Sequence, residues 1–437
     1  MKNLSLLILL LSSLLCFADK EPTKEEVANE VSLKIGKILQ TKDFASLYPL
    51  VNEKIGKKLE GNKLEQMMKS LEDSYGKLDS ILNFSVKKIS EGTYYHRGLK
   101  FEKQNFDLVI SLDENNKVSK FILAPYTNKI PWEAPNYVDF DKFTTSAISI
   151  GKEMPLIAEY TIPNDNENKI IAILVHGSGP SNMNERVGPN EPFKDLAYGL
   201  ATKGIGSIRY NKRSYDYPSA MMKNPTKTSI YNIVVDDAVY AIQMAKSLGA
   251  KKVILIGHSL GGHLSPKIAE IEPVDGVITL AGNASVLEKL LLPQFEHIMK
   301  HDSTSGITDY QINTIKYQLK NLEEGKYDST TIGPVLPLSL PGSFWLSLKG
   351  YYPPKVSKKQ DNPYLILNGD RDYQVTAADA KKWKSGNKNP NSKTIIYPKL
   401  NHMFYAGEGV CIPSEYERIG HINSVVLSDM TEWIVKL

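Results

Sequence analysis

Apolar residues along the chain follow two successive patterns, and the change between them divides it into two regions. In residues 19–125, apolar positions recur first at helical spacing and then in short strand-like runs. Helices are predicted at 25–39 and 64–78, and strands at 81–89, 93–101, 106–112 and 118–124. This order predicts a small α+β domain in which an antiparallel sheet packs on helices.

Beyond a proline-containing linker at residues 126–136, short apolar runs alternate with helical segments. The runs at 170–175 and 253–256 are continuously apolar, which is typical of strands buried on both faces of a sheet. Further strands are predicted at 143–150, 155–162, 205–210, 274–281, 364–367 and 394–397. The alternation predicts a second domain, residues 137–437, of α/β class with a mostly parallel sheet covered by helices on both faces.

Residues 284–352 interrupt this alternation with helical stretches and a proline-rich segment, and no strand is predicted there. The insertion directly follows the carboxyl end of a predicted strand, which is the edge of a parallel sheet where ligands bind. We therefore expect it to form a helical cap over a site at that edge.

The motif Gly257-His258-Ser259-Leu260-Gly261 stands between a predicted buried strand and an apolar helical segment. A G-x-S-x-G sequence in this context is typical of a nucleophile elbow, a strained turn that lifts the serine hydroxyl above the sheet. The flanking glycines are expected because side chains there would collide with neighbouring elements. The turn also directs the first N–H of the helix, that of Leu260, toward a reacting carbonyl. Ser259 is therefore the predicted nucleophile.

A glycine-rich loop, His176-Gly177-Ser178-Gly179-Pro180, follows the predicted strand at 170–175. Hydrolases with such an elbow take a second oxyanion-hole N–H from a loop in this position. The predicted donors are the N–H groups of Leu260 and Ser178, with Gly179 as the alternative to Ser178. A simple Gly-Pro turn would explain the glycines but not the apolar strand that leads into them.

An acid and a histidine follow the serine in the chain order of this arrangement, each after a predicted strand. His402 is the predicted general base that takes the proton of Ser259. Asp372 is the predicted acid that orients the imidazole, and Asp370 is its alternative in the same loop. His421 is the alternative to His402, but it lies before the last helix rather than directly after a strand.

The N-terminal residues predict a signal peptide, residues 1–18. Lys2 precedes an apolar run at 4–15, and the small residues Cys16 and Ala18 fit a cleavage site. The run is too short to span a bilayer comfortably. We therefore expect a secreted or periplasmic protein without stable membrane insertion, and a retained interfacial anchor is the alternative. Cleavage would leave Cys411 as the single cysteine and exclude an intramolecular disulfide.

Composition narrows the possible partners. The net charge of +4 is small, and no basic stripe with interleaved aromatic residues indicates nucleic-acid binding. No H-E-x-x-H or comparable spacing predicts a metal site. The sequence leaves the oligomeric state open.

Residues 140–437 resemble the α/β-hydrolase superfamily, and more closely the secreted bacterial EstD-type carboxylesterases. Besides the elbow and the loop at 176–180, the segments that carry the likeness are 210–213, 280–283, 290–294, 369–376 and 401–404. The resemblance implies an α/β-hydrolase fold and cleavage of small-molecule carboxylic esters, without a cofactor, by Ser259, Asp372 and His402. Residues 19–125 resemble the small accessory domain often fused ahead of such hydrolases.

The chain departs from the family pattern at three positions. Asn211 and Ser214 stand where an aspartate and a glycine are usual, and Leu260 stands where an acidic residue is common. These departures bear on substrate preference rather than on the chemistry. The same triad also serves thioesterases, acyltransferases and peptidases, so these activities stay open, as does a binding protein of this fold without turnover. The N-terminal domain is either a structural appendage or shapes substrate access or an interaction surface.

Overall fold

The computed structural model describes residues 22–126, 130–165, 167–386 and 388–437. The predicted signal peptide lies outside these residues, as does part of the predicted linker. The chain forms two compact units, Met1–Thr127 and Asn128–Leu437.

In its described residues, the first unit combines three α-helices with a four-stranded antiparallel sheet in the order β1-β2-β3-β4. The helices are α1 (Lys24–Thr41), α2 (Glu53–Leu59) and α3 (Lys63–Tyr75), and the strands are β1 (Leu78–Ile89), β2 (Gly92–Phe101), β3 (Asn105–Leu112) and β4 (Val118–Pro125). Helix α1 begins at a capping box in which Thr23 and Glu26 each accept the other's backbone N–H. Leu39 of α1 and Leu99 of β2 are fully buried in one apolar core, so this unit has its own hydrophobic interior.

The second unit is built on an eight-stranded sheet in the order β12-β11-β10-β9-β7-β8-β6-β5. The strands are β5 (Phe143–Ile150), β6 (Leu156–Pro163), β7 (Ile170–Val175), β8 (Gly206–Tyr210), β9 (Lys252–His258), β10 (Gly276–Leu280), β11 (Tyr364–Gly369) and β12 (Lys393–Tyr397). Strands β7 to β12 run parallel, whereas β6 is antiparallel to β8 and β5 is antiparallel to β6. The predicted fold class, a mostly parallel sheet preceded by a small α+β region, is therefore confirmed.

Helices follow most of the parallel strands. They are α4 (Pro192–Thr202), α5 (Arg213–Asp216), α6 (Pro218–Lys223), α7 (Asp236–Ser247), α8 (Leu260–Ile271), α9 (Glu288–His301), α10 (Asp309–Glu323), α11 (Gly342–Leu348), α12 (Pro353–Ser357), α13 (Ala377–Ala380) and α14 (Ser424–Lys436). A π-helical turn, Tyr231–Val235, leads into α7. No helix in the described part of the chain is both long and apolar enough to cross a membrane.

The central strands separate two apolar layers, because successive side chains of a strand point to opposite faces. Along β9, Val253 and Leu255 pack in a core that includes side chains of α7, α8 and α11. Ile254 and Ile256, on the other face, pack with side chains of α4 and α14. This double burial explains why the strand reads as a continuous apolar run.

Helices α9, α10 and α11 lie in the long segment between β10 and β11, which contains no strand. Helices α9 and α10 pack against each other. The segment corresponds to the insertion predicted at 284–352, and residues of α9 line the cavity described below.

Candidate active site

Ser259 occupies the turn between β9 and α8 with φ 48° and ψ −114°. A positive φ is uncommon for a residue other than glycine, and such strain concentrates at functional sites. The Ser259 N–H donates to the carbonyl of Leu280, at the end of the neighbouring strand β10, over 2.9 Å. The turn is thus tied to the carboxyl edge of the sheet.

Two glycines permit this turn because the strand and the helix approach each other too closely for side chains. A Cβ atom on Gly257 would lie 2.4 Å from the carbonyl carbon and oxygen of Gly261. A Cβ atom on Gly261 would lie 2.2 Å from the carbonyl oxygen of Val175. The glycines of the sequence motif are therefore required by backbone packing.

His402 and Asp372 form a buried pair at the same edge of the sheet. The His402 Nδ1 lies 2.7 Å from the Asp372 Oδ2, and both residues are only 3% exposed. The other oxygen of Asp372, Oδ1, accepts the N–H groups of Gln374 (2.8 Å) and Val375 (2.9 Å). These bonds hold the carboxylate in one orientation.

The two alternatives from the sequence have other partners. Asp370 is exposed, and its Oδ1 accepts the N–H of Lys399 over 2.8 Å. His421 lies with its Nδ1 3.2 Å from the Oδ2 of Asp195, which is buried. The structure thus brings Asp372 rather than Asp370 to His402.

A cavity of about 520 Å³ joins the predicted site residues. Its lining includes Ser259, Leu260, Gly177, Ser178 and His402. Ser259 and His402 therefore open onto one space, next to the loop after β7. No group of three or more His, Cys, Asp or Glu side chains among the described residues is arranged to hold a metal ion.

The backbone N–H groups of Leu260 and Ser178 belong to residues that line the cavity together with Ser259. Leu260 begins α8, and helix N-termini favour negative charge. Neither the Leu260 N–H nor the Ser178 N–H has a hydrogen-bond partner in the part of the chain that the structure describes. The Gly177 N–H, in contrast, donates to the Glu185 Oε1 over 2.6 Å.

Glu185 and His258 form a second buried pair at the site, which the sequence did not predict. The His258 Nδ1 lies 3.1 Å from the Glu185 Oε1, and its Nε2 lies 3.2 Å from the His402 carbonyl oxygen. Burial lowers the pKa of His258, but the Glu185 carboxylate outweighs burial and holds this pKa above its usual value. Burial likewise raises the pKa of Glu185, and the His258 imidazolium reverses this, so the carboxyl pKa is low. Both shifts favour the charged forms, so the pair is ionic between pH 4.5 and 6.5.

Lys212 is a further residue that the sequence did not assign to the site. Its Nζ donates to the Gly177 carbonyl over 2.7 Å. Burial of this side chain lowers its pKa to about 8. The family resemblance marked the segment 210–213, but neither periodicity nor spacing indicates which loop it would contact.

A strand–serine–helix turn beside a histidine–aspartate pair, at the carboxyl edge of a mostly parallel sheet, defines an α/β-hydrolase. Within this class the chain is 30% identical to esterase EstD of Thermotoga maritima over 400 residues, which cover 91% of this chain and 93% of the relative. The chain belongs to the EstD esterase family, as its sequence motifs predicted. Residues 32–121 also match a family described as a protein of unknown function, DUF3887.

Two solved esterase structures are similar to this chain at low sequence identity. Esterase Pf2001 of Pyrococcus furiosus is 14% identical, with a TM-score of 0.44 over 71% of this chain and 98% of its own. Est1E of Butyrivibrio proteoclasticus, solved with ferulic acid, is 16% identical, with a TM-score of 0.45 over 66% of this chain and 98% of its own.

The Glu185–His258 pair predicts a pH-dependent effect of Glu185→Gln. Removing one charge of a buried pair costs about 3 kcal/mol in the free energy of unfolding. His258 has a raised pKa in the folded protein, so its contribution to the free energy of unfolding is complete below pH 6.5, its ordinary pKa. This contribution is lost as the pH rises through the pKa of the folded protein. Glu185 has a lowered pKa, so its contribution to the free energy of unfolding is complete above pH 4.5, its ordinary pKa. The difference in the free energy of unfolding between wild type and Glu185→Gln should therefore be largest between pH 4.5 and 6.5.

Urea unfolding of wild type and Glu185→Gln between pH 4.5 and 9 measures this difference. Glu432→Gln, which breaks an exposed pair with Lys436, is the matched control and should have no measurable effect. A Glu185→Gln penalty that stays constant up to pH 9 would contradict an ionic pair.

Proposed function

We propose that this protein is a serine hydrolase that cleaves carboxylic esters through an acyl-enzyme intermediate. Ser259 is the nucleophile, His402 the general base and acid, and Asp372 the orienting acid. The observation that carries this proposal is the strained Ser259 and the paired His402 on one cavity, with an acid 2.7 Å behind the imidazole. The family membership of the chain supports it.

The hydrogen bond between His402 and Asp372 determines the direction of proton transfer. An ionised Asp372 accepts the Nδ1–H, which leaves the lone pair of Nε2 available for the Ser259 hydroxyl. As Ser259 Oγ attacks the ester carbonyl, Nε2 takes its proton, and Asp372 stabilises the imidazolium. The carbonyl oxygen becomes an oxyanion that the Leu260 and Ser178 N–H groups bind.

Collapse of this tetrahedral intermediate breaks the bond to the alcohol. His402 gives the proton to the leaving alkoxide, so an alcohol departs and the acyl group remains on Ser259. In the second half His402 takes a proton from water, the resulting hydroxide attacks the acyl carbonyl, and the carboxylic acid is released as Ser259 regains its proton. No further reactant is needed.

The lining of the cavity favours esters with an apolar acyl group. On the cap side most of it is apolar, and Gln294 is the polar exception: the apolar side chains are Leu287, Leu290, Leu291, Phe295, Ile298 and Leu338. A second cavity of about 240 Å³ adjoins it and shares Leu291, Phe295 and Leu338. An acyl chain that outgrows the first cavity would therefore meet these three side chains before it reaches the second.

Hydrolysis of a p-nitrophenyl ester series tests the proposal. Ser259→Ala should lower kcat at least ~10⁴-fold, as losses of triad members do. Asp372→Asn should lower it about 10³- to 10⁴-fold because the imidazole loses its orienting acceptor. The matched control, Asp370→Asn in the same loop, should retain wild-type activity. Activity of Ser259→Ala equal to wild type would refute the proposal, and equal losses in the two aspartate variants would refute the role of Asp372.

Phe295→Ala should shift the acyl-chain preference toward longer esters, because it removes a ring that stands between the two cavities. We expect the ratio of kcat/KM for the octanoate ester to kcat/KM for the acetate ester to rise several-fold. This corresponds to about 1 kcal/mol, which is the order of effect of a small change in a hydrophobic pocket. Phe140→Ala, which truncates an exposed ring elsewhere in the same unit, is the control. An unchanged ratio would place the acyl chain elsewhere.

A further inference from the structure

Gly177 is held at both of its backbone polar groups by buried charged side chains. Its N–H donates to the Glu185 Oε1 over 2.6 Å, and its carbonyl accepts from the Lys212 Nζ over 2.7 Å. A Cβ atom on Gly177 would lie 3.1 Å from the Cβ of Ser259, so this residue lies directly against the nucleophile. The loop beside Ser259 thus has a fixed orientation.

The bond from Lys212 determines where the next N–H points. The carbonyl of Gly177 and the N–H of Ser178 belong to one peptide group, and no cis peptide bond occurs among the described residues. In a trans peptide these two groups point in opposite directions. With the carbonyl directed at Lys212, the Ser178 N–H points away from the lysine, and both residues of this peptide line the cavity.

Burying the charged Lys212 side chain costs free energy, because the ammonium loses its hydration. Its side chain is 4% exposed, and burial lowers its pKa to about 8. Among the described residues the Gly177 carbonyl is the hydrogen-bond partner of its Nζ, and no carboxylate lies within ion-pair distance. A buried ammonium that binds one carbonyl beside an active site indicates a role in positioning that carbonyl.

The segment that carries Lys212 is attached to the same loop by two more bonds. The Lys212 N–H donates to the Ser181 carbonyl over 3.0 Å. The Asn211 Oδ1 accepts the Met183 N–H over 2.7 Å, and its Nδ2 donates to the Asp216 Oδ1 over 2.8 Å. Asn211, one of the departures from the family pattern, thus acts as both acceptor and donor. Through these hydrogen bonds the segment 210–213 holds the loop after β7 in position.

We propose that Lys212 is the positioning residue of the oxyanion hole: it binds the Gly177 carbonyl and so directs the Ser178 N–H at the oxyanion. The ammonium also polarises this peptide group, which strengthens its N–H as a donor. The inference rests on the proposed function, because it requires an oxyanion at Ser259. On this inference, the segment 210–213 contributes to catalysis through Lys212, although it does not contact the substrate.

The charge on Lys212 makes the effect pH-dependent. The titratable groups that act on it are Glu185 on the loop, Asp237 on α7 and the His176 imidazole. Burial lowers the pKa of His176 to about 4, so it is neutral at the working pH. The two carboxylates favour the ammonium, which is lost as pH rises through about 8. The wild-type kcat should therefore fall several-fold on the alkaline side of this value.

Lys212→Met tests the inference, because methionine keeps an unbranched apolar chain and removes the donor. We expect kcat per titrated active site to fall about 10²-fold, in the range for loss of an oxyanion donor, with KM changed much less. The alkaline decline of kcat should disappear in the variant. Lys246→Met, which removes a partly exposed lysine paired with Glu272, should behave as wild type.

The possible outcomes separate this inference from the proposed function. An inactive Ser259→Ala with a fully active Lys212→Met would overturn the role of Lys212 and leave the function intact. An active Ser259→Ala would overturn the function itself. If Lys212→Met does not fold, the wild-type pH profile decides: a decline of kcat near pH 8 supports the inference, and a constant kcat up to pH 10 overturns it.

Discussion

The backbone contact between β7 and α8 is the constraint on which the site depends. The strand that ends at Val175 and the helix that begins at Leu260 approach so closely that Gly261 has no room for a side chain. This contact brings the start of α8 beside the loop after β7, and Ser259 joins the strand and the helix there at a positive φ. Ser259 and the Leu260 N–H are thus positioned by packing of main chain, which a rotamer change cannot disturb.

Buried charges position the parts that the backbone contact does not reach. The Glu185–His258 pair joins three segments: the loop after β7 through the Gly177 N–H, the elbow through His258, and the His402 loop through its carbonyl. Each of these contacts lies where the positions of separate loops must agree within a fraction of an ångström. Since breaking such a pair leaves an unpaired buried charge, the pair resists separation of the loops.

Features that depend on neighbouring residues could be predicted from the sequence, and features that depend on distant partners could not. The strand at 253–256 and the elbow are local patterns, and β9 contains the predicted strand but extends beyond it, from Lys252 to His258. Element ends were less accurate: the strand predicted from residue 81 begins at Leu78, where no change in polarity marks it. Glu185 and Lys212 act on residues 73 and 35 positions away, so no periodicity connects them to His258 and Gly177.

The central claim, that Ser259 is acylated during turnover, can be measured directly. Wild-type protein reacted with a fluorophosphonate and digested for peptide mass spectrometry should carry one phosphonyl group, on Ser259. Ser178 and Ser181 line the same cavity, so they are internal controls for mere proximity. Modification confined to Ser259 is the result that the account predicts. Modification of Ser178 or Ser181 in its place, or no modification of a protein that hydrolyses esters, would contradict it.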